Sequence, residues 1–211
     1  ADEGDCFVAG GVETVSRYMN GAADTGSHNE KFAAAEQRSA ERTTGDGGDW
    51  TAPNGLPDVY IAMGQTAENV AEHLGISRER QDEFGVRSQN RAEEAMKRGF
   101  CEQEITPYAL PDGTVVSKDD GIREGTTLEG VSQLNPVFRP EGTITAGNAC
   151  PLNDGASAVV VMSDTRAKEL GIQPLARIVA SGVSALNPEI MGLGPIEACL
   201  QVLRRAGMQI S

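Results

Sequence analysis

Hydrophobic and polar positions divide this chain into stretches of different period. Residues 146–157 are almost all small or short and polar, and residues 158–162 are a continuous apolar run. A run with no polar alternation predicts a strand buried on both faces. Residues 6–9, closed by Gly10 and Gly11, predict a second buried strand ending in a turn, and residues 175–183 predict another strand. Helical spacing appears at residues 66–74, where Val70, Ala71 and Leu74 share a face, Thr66 is the expected N-cap and Gly75 the terminator. Ser77 is expected to cap a longer helix reaching about Lys97. It should place Phe84, Ser88, Ala92 and Ala95 on one side and a solvated Arg/Glu face on the other. Residues 105–110 and 114–116 flank Pro111-Asp112-Gly113, a turn signal that predicts a short hairpin. Residues 127–134 predict one or two helical turns. Ser163 and Asp164 open a helix ending at Gly171, and residues 196–206 form an amphipathic helix.

The segment 21–54 stands apart, because it contains no Leu, Ile, Val or Met and abounds in Gly, Ala, Ser, Thr and Asp. Such a stretch cannot build its own core, so it is expected to be a surface excursion or disordered, with one short surface helix at residues 33–40. From Ile144 onward, strand and helix alternate, which suggests a layered α/β domain. Residues 20–134 are mostly helix and loop.

Composition narrows the function classes. A net charge of −13 with 18 Lys plus Arg argues against a nucleic-acid partner. The 4 Cys are widely and irregularly spaced, which suits a reducing compartment better than a disulfide framework. Without a Cys-x-x-Cys pair or clustered His, a metal site is not expected. Cys6 and Cys199 fall in strand-like and helix-like patterns and are expected as small buried hydrophobes. No apolar run approaches the roughly 18 residues of a membrane span, and no signal segment opens the chain. These features predict a soluble protein of the cytoplasm.

The small-residue loop that feeds the apolar run is the richest stretch for chemistry. It reads Thr145-Ala-Gly-Asn-Ala-Cys-Pro-Leu-Asn-Asp-Gly-Ala156. Either it is a tight turn ahead of a core strand, or its small side chains let a ligand approach the backbone closely. Asn148, Asn153 and Asp154 are expected to tie the loop to itself. The stretch resembles the Thr-Ala-Gly-Asn-Ala-Ser-x-x-Asn-Asp-Gly-Ala signature of the thiolase family, with Cys150 at the usual Ser. Other blocks resemble the same family in the same order: Gly10-Gly-Val-Glu-Thr-Val-Ser-Arg17, Met63-Gly-Gln-Thr-Ala-Glu-Asn69, residues 77–91 with Gln81-Asp82 and Ser88-Gln89, and Arg123-Glu-Gly-Thr-Thr-Leu128.

That resemblance implies an α/β, partial thiolase-like layered fold with a helical loop domain between core halves. Residues 1–19 would end the first core half. Residues 20–135 would be the loop domain, with 20–53 a flexible insertion, and residues 136–211 would return to the core. The implied activity is acyl transfer: a 3-ketoacyl-CoA and CoA give acetyl-CoA and a shortened acyl-CoA. This chemistry needs a nucleophilic Cys, a His that activates it and a second Cys that moves a proton at the α-carbon. The family's motifs for them (Cys-x-Ser-Gly, Gly-His-Pro and Cys-x-Gly-Gly) are not in this sequence, nor is its Asn-Glu-Ala-Phe. The expectation is therefore a central fragment with no catalytic residue of its own, inactive alone. A non-catalytic acyl-CoA-binding or interaction module, or a subunit complemented by other chains, is the alternative.

By matching, Arg123 falls on the family's adenine-side Arg; otherwise it is an ordinary surface Arg. Gly130 stands where many members have a Ser near the adenine. Ala146, Gly147 and Cys150 match the loop that touches pantetheine, with the thiol a weaker donor than the hydroxyl it replaces. Met63 matches a residue lining the acyl end, or else is core filler, and Leu56 lies near the pantetheine. Ala62 replaces a His of one biosynthetic pattern, which leans towards a broader degradative enzyme of fatty-acid β-oxidation. No permanently bound cofactor is implied: coenzyme A is substrate, acyl-CoA the small-molecule partner, and the intact protein a homodimer or tetramer.

Overall fold

The structure is a computed structural model that describes residues 4–20, 27–45 and 49–210. Its elements in chain order are β1 (Cys6–Glu13), α1 (Ala33–Thr43), α2 (Met63–Leu74), α3 (Arg78–Lys97), α4 (Phe100–Glu104), β2 (Tyr108–Ala109), β3 (Val115–Val116), α5 (Leu128–Ser132), β4 (Gly155–Met162), α6 (Asp164–Glu169) and α7 (Gly194–Ala206). They divide into two compact units: Ala1–His28 with Leu152–Ala185 and Leu193–Ser211, and Asn29–Pro151 with Leu186–Gly192.

In the first unit β1 pairs antiparallel with β4, from Cys6 opposite Met162 to Glu13 opposite Gly155. Gly10 and Gly11 do not turn the chain as the sequence suggested. They lie inside the ladder, opposite Ala158 and Ser157. A Cβ on Gly10 would sit 3.1 Å from the Ser157 carbonyl oxygen, so the strands approach where the side chain is smallest. The expected burial on both faces is also absent: Val8 is 77% and Val160 61% exposed. A two-stranded ribbon has no layer of its own to cover it. Cys6 and Cys199 are likewise exposed, not buried as expected.

Ser163 caps α6 as predicted, its hydroxyl accepting from the Arg166 N–H at 3.1 Å. Residues 175–183 form no strand, because no ladder partner meets them among the described residues and Leu175, Ile178 and Val183 stand exposed. Part of that stretch lies along α7 instead. Gln201 Nε2 donates to the Val183 carbonyl at 3.0 Å, and a Cβ on Gly182 would press on the Ala198 carbonyl.

The regular elements of the second unit are mostly helices. α2 begins three residues before the expected cap: Ala62 is the N-cap, and Thr66 is buried, with its hydroxyl donating to the Met63 carbonyl at 2.7 Å. Gly75 closes the helix in the left-handed conformation at φ 63°. Ser77 caps α3 by accepting from the Arg80 N–H. The buried side of α3 is not the expected one, since Phe84 is 64% exposed whereas Asp82 is 1% exposed. A buried carboxylate survives only when its lone pairs are filled, and those partners lie on other elements that no periodicity reveals.

Helix α1 forms where a short one was expected, but Ala35 is buried in it. The Leu-free segment also contributes to the core: Trp50 is buried, and its indole Nε1 donates to Glu189 Oε2 at 2.7 Å. Residues 21–26 and 46–48 of that segment lie outside the described residues. The hairpin of β2 and β3 is as predicted. Its turn is tied by Asp112, which accepts from the Thr114 N–H at 2.9 Å, a bond that lowers the Asp112 pKa. Thr127 caps α5 by accepting from the Gly130 N–H.

Candidate functional site

The block Met63-Gly-Gln-Thr-Ala-Glu-Asn69 is a row of polar hooks on α2. Glu68 is buried, and its carboxylate accepts from the backbone N–H groups of Thr143 and Ile144, each at 2.9 Å, and from the Thr143 hydroxyl at 3.0 Å. Gln65 Nε2 donates to the Phe138 carbonyl at 2.6 Å, while its Oε1 accepts from Arg139 Nε at 2.8 Å. The Arg139 guanidinium also reaches Asn69 Oδ1 at 2.6 Å and pairs with Glu72. Asn69 in turn donates to the Glu189 carbonyl at 2.8 Å. Glu189 holds Trp50 and the Asp58 N–H through its two oxygens. Residues 137–145 are thus fastened by a polar network in which Glu68, Gln65, Asn69 and Arg139 each keep partners. Gly64 belongs to the same seam, because a Cβ there would meet the Phe138 ring at 2.2 Å.

The signature loop follows directly. Asn148 uses both ends of its amide: Oδ1 accepts from the Thr145 N–H at 2.8 Å, and Nδ2 donates to the Thr143 carbonyl and to Asp82 Oδ1, both at 2.9 Å. It ties the loop to itself, as expected, and also to α3. Asp82 Oδ2 accepts from Arg78 Nε at 2.7 Å, and Arg78 Nη2 donates to the Val131 and Leu134 carbonyls at the end of α5. Gly147 sits against those same residues, since a Cβ there would be 2.5 Å from Val131 Cγ1. Asp154 does not close on the loop as expected; it accepts from Ser16.

Arg123 lies on a second loop carried by α3. Its N–H donates to Gln89 Oε1 at 3.0 Å, and two residues on the Gly125 N–H donates to Glu93 Oε2 at 2.9 Å. Lys97 pairs with Glu93, and with the Gly125 bond it holds that carboxyl below its ordinary range. Gln89 Oε1 and Glu93 Oε2 both accept from backbone N–H groups, so the Arg123 loop is fixed through its main chain, while Glu93 Oε1 takes Lys97.

The structure therefore brings Arg123 and the Ala146, Gly147 and Cys150 loop to one helix. Cys150 is an exposed thiol. Met63 and Leu56 stand on other supports. Met63 opens α2 and is 64% exposed, and Leu56 is exposed, with its carbonyl accepting from Arg38 Nη2 at 2.9 Å. Sequence reasoning passed over Glu68, Asn69, Asp82, Arg139 and Glu189. Polar residues on helical faces read as solvated; the one signal for Glu68, Asn69 and Asp82 was their place in family-like blocks, and Arg139 and Glu189 lie outside those blocks. His73 meets Trp50 edge-on. Among the described residues no cluster of His, Cys, Asp and Glu is arranged to hold a metal, and no helix is long and apolar enough to cross a membrane.

The family description "Thiolase, N-terminal domain" matches residues 1–165. An acetyl-CoA acetyltransferase of Cupriavidus necator is 50% identical over 159 residues, covering 72% of this chain and 40% of that protein. A probable acetyl-CoA acyltransferase of Staphylococcus aureus is 45% identical over 164 residues, covering 75% of this chain and 42% of that protein. The dimeric peroxisomal thiolase of Saccharomyces cerevisiae superposes with a TM-score of 0.78 at 32% identity, over 97% of this chain and 48% of that one. The chain spans less than half the length of each of these relatives, and its fold is a partial thiolase-like α/β fold. With the match running through most of its length, from β1 past the signature loop, this chain belongs to the thiolase family.

Proposed function

We propose that this chain is the coenzyme A-holding part of an acetyl-CoA C-acyltransferase. In the reaction, a Cys thiolate attacks the 3-keto carbon of a 3-ketoacyl-CoA. The bond between the α- and β-carbons then breaks, and acetyl-CoA leaves once its α-carbon takes a proton. The thiolate of a second CoA attacks the acyl-cysteine and carries off the shortened acyl group. This chain contributes to binding and orientation, and none of its residues is assigned a covalent step. Alone, it turns over no 3-ketoacyl-CoA.

The observation that carries this reading is the placement of two loops on one side of α3. Arg123 stands on one, and the small residues Ala146 and Gly147 with Cys150 on the other. A guanidinium suits the phosphates and adenine of the nucleotide. Small residues leave room for the pantetheine arm and free backbone groups for its amides, with the Cys150 thiol a weak donor. Met63 supplies apolar surface towards the acyl end, and Leu56 near the pantetheine. In this reading, residues 20–135 form the loop domain, between the end of one core half at 1–19 and the return to the core at 136–211. CoA thioesters are polyanionic and cross membranes poorly, which supports a cytoplasmic location. The dimeric yeast relative supports a homodimer, with a tetramer the other assembly of this reading. Ala62, in place of a His, supports a broader degradative role in fatty-acid β-oxidation.

Calorimetric titration of the chain with coenzyme A tests the reading. It predicts saturable binding at one site, competed by acetyl-CoA and not by ATP at equal concentration. Absence of binding, or equal competition by any nucleotide, overturns it.

A further inference from the structure

We propose that Asp82 and Gln89 are positioning residues that mount the two ends of a coenzyme A site independently on α3. This rests on the reading above. Residues 82, 85, 89 and 93 recur at helical spacing and share one side of α3. Seven residues separate Asp82 from Gln89, close to two helical turns, or about 10 Å along the axis.

The mount at Asp82 is a closed circuit. Asp82 holds Asn148; Asn148 holds the Thr145 N–H and the Thr143 carbonyl; Gly147 rests on Val131 and Leu134; and Arg78 returns from their carbonyls to Asp82. Gly85 adds a steric stop, because a Cβ there would lie 2.3 Å from the Gly147 carbonyl oxygen. The mount at Gln89 uses different atoms, the N–H groups of Arg123 and Gly125 on Gln89 and Glu93, and Thr126 closes its loop by donating to the Arg123 carbonyl at 2.6 Å. No hydrogen bond of the first mount is shared with the second. Losing Asp82 therefore frees the pantetheine-side loop, and losing Gln89 frees the nucleotide-side loop.

Asp82→Asn and Gln89→Ala separate the two. An amide at residue 82 can offer its oxygen to Asn148 or to Arg78 but not to both, which keeps volume and breaks the circuit. Amide hydrogen exchange reads the mounts without ligand. Asp82→Asn should speed exchange at Thr145, Gly147 and Asn148 about tenfold, leaving Arg123 and Gly125 unchanged, and Gln89→Ala should do the reverse, as local opening allows. Affinity reads the ends: Asp82→Asn weakens pantetheine about tenfold and spares adenosine 3′-phosphate 5′-diphosphate, and Gln89→Ala spares pantetheine, as expected for lost loop order. If each variant loosens both loops alike, or neither loop, the independent mounts are wrong. If the unsubstituted chain binds neither probe, the functional reading fails, and exchange alone still decides the mounts.

Discussion

Ser16 meets the Asp154 carboxylate twice, with its N–H donating to Oδ1 at 2.8 Å and its hydroxyl to Oδ2 at 2.9 Å. Ser16 lies three residues beyond Glu13 and Asp154 one residue before Gly155, the last pair of the β1–β4 ladder. They also join two of the family-like blocks, the one that starts at Gly10 and the signature loop. The pair works as a clasp on the open end of the ribbon.

The clasp makes acid stability depend on Ser16. The Ser16 backbone and side-chain bonds hold the Asp154 carboxyl below its ordinary value of 3.8. A depressed folded-state pKa contributes stability above the unfolded value, and that contribution is lost as pH falls through the lower folded value. Ser16→Ala should therefore raise the Asp154 pKa in an NMR titration. The stability gap between the two proteins should be full at neutral pH and close at the acid end. A gap that stays constant through the acid limb contradicts the clasp.

Glu68→Gln tests the α2 network. An amide nitrogen would face donors from Thr143 or Ile144 that now point at carboxylate oxygens. One buried mismatch of this kind costs about 1–3 kcal/mol. Denaturant unfolding should show that loss, with the m-value unchanged. A neutral substitution would mean that Thr143 and Ile144 do not fill the Glu68 carboxylate.

Gly85→Ala sets two effects against each other. Alanine is the better helix former by about 1 kcal/mol in a helix interior. Its Cβ, however, would stand 2.3 Å from the Gly147 carbonyl oxygen, a backbone atom that cannot swing aside. Overpacking of this kind costs about 1–3 kcal/mol, occasionally more, so the variant should be less stable on balance. A stabilised Gly85→Ala protein would show that α3 and the signature loop are further apart.

Cys150 should alkylate no faster than Cys6 or Cys199, which are exposed as well. Fast attack requires a thiolate favoured by a neighbouring cation, a His or a helix N-terminus, and the loop around Cys150 supplies small residues and amides. Peptide mapping after brief alkylation at neutral pH reads the order directly. If Cys150 reacts first and CoA protects it, the view of Cys150 as an inert lining residue is wrong.

Local chemistry made much of the fold legible in the sequence. Ser77 and Ser163 cap their helices as read, Gly75 ends α2, and Asp112-Gly113 turns the hairpin, because each acts on backbone within a few residues. What escaped depends on partners distant in sequence. Whether residues 175–183 join a ladder depends on a neighbouring strand. Whether Asp82 faces solvent depends on Asn148, 66 residues away, and Trp50 is buried because Glu189 reaches it. The candidate loops were legible through their small residues and their likeness to a family. Their support on α3 was not, because a buried polar face has the same period as an exposed one.

The central claim is that Arg123 and the signature loop hold opposite ends of one coenzyme A. Calorimetry on Arg123→Ala, with CoA and with pantetheine, tests it most directly. Losing a charge-assisted contact should weaken CoA by about 1–3 kcal/mol and leave pantetheine unchanged. Equal weakening of both ligands, or of neither, would contradict the claim.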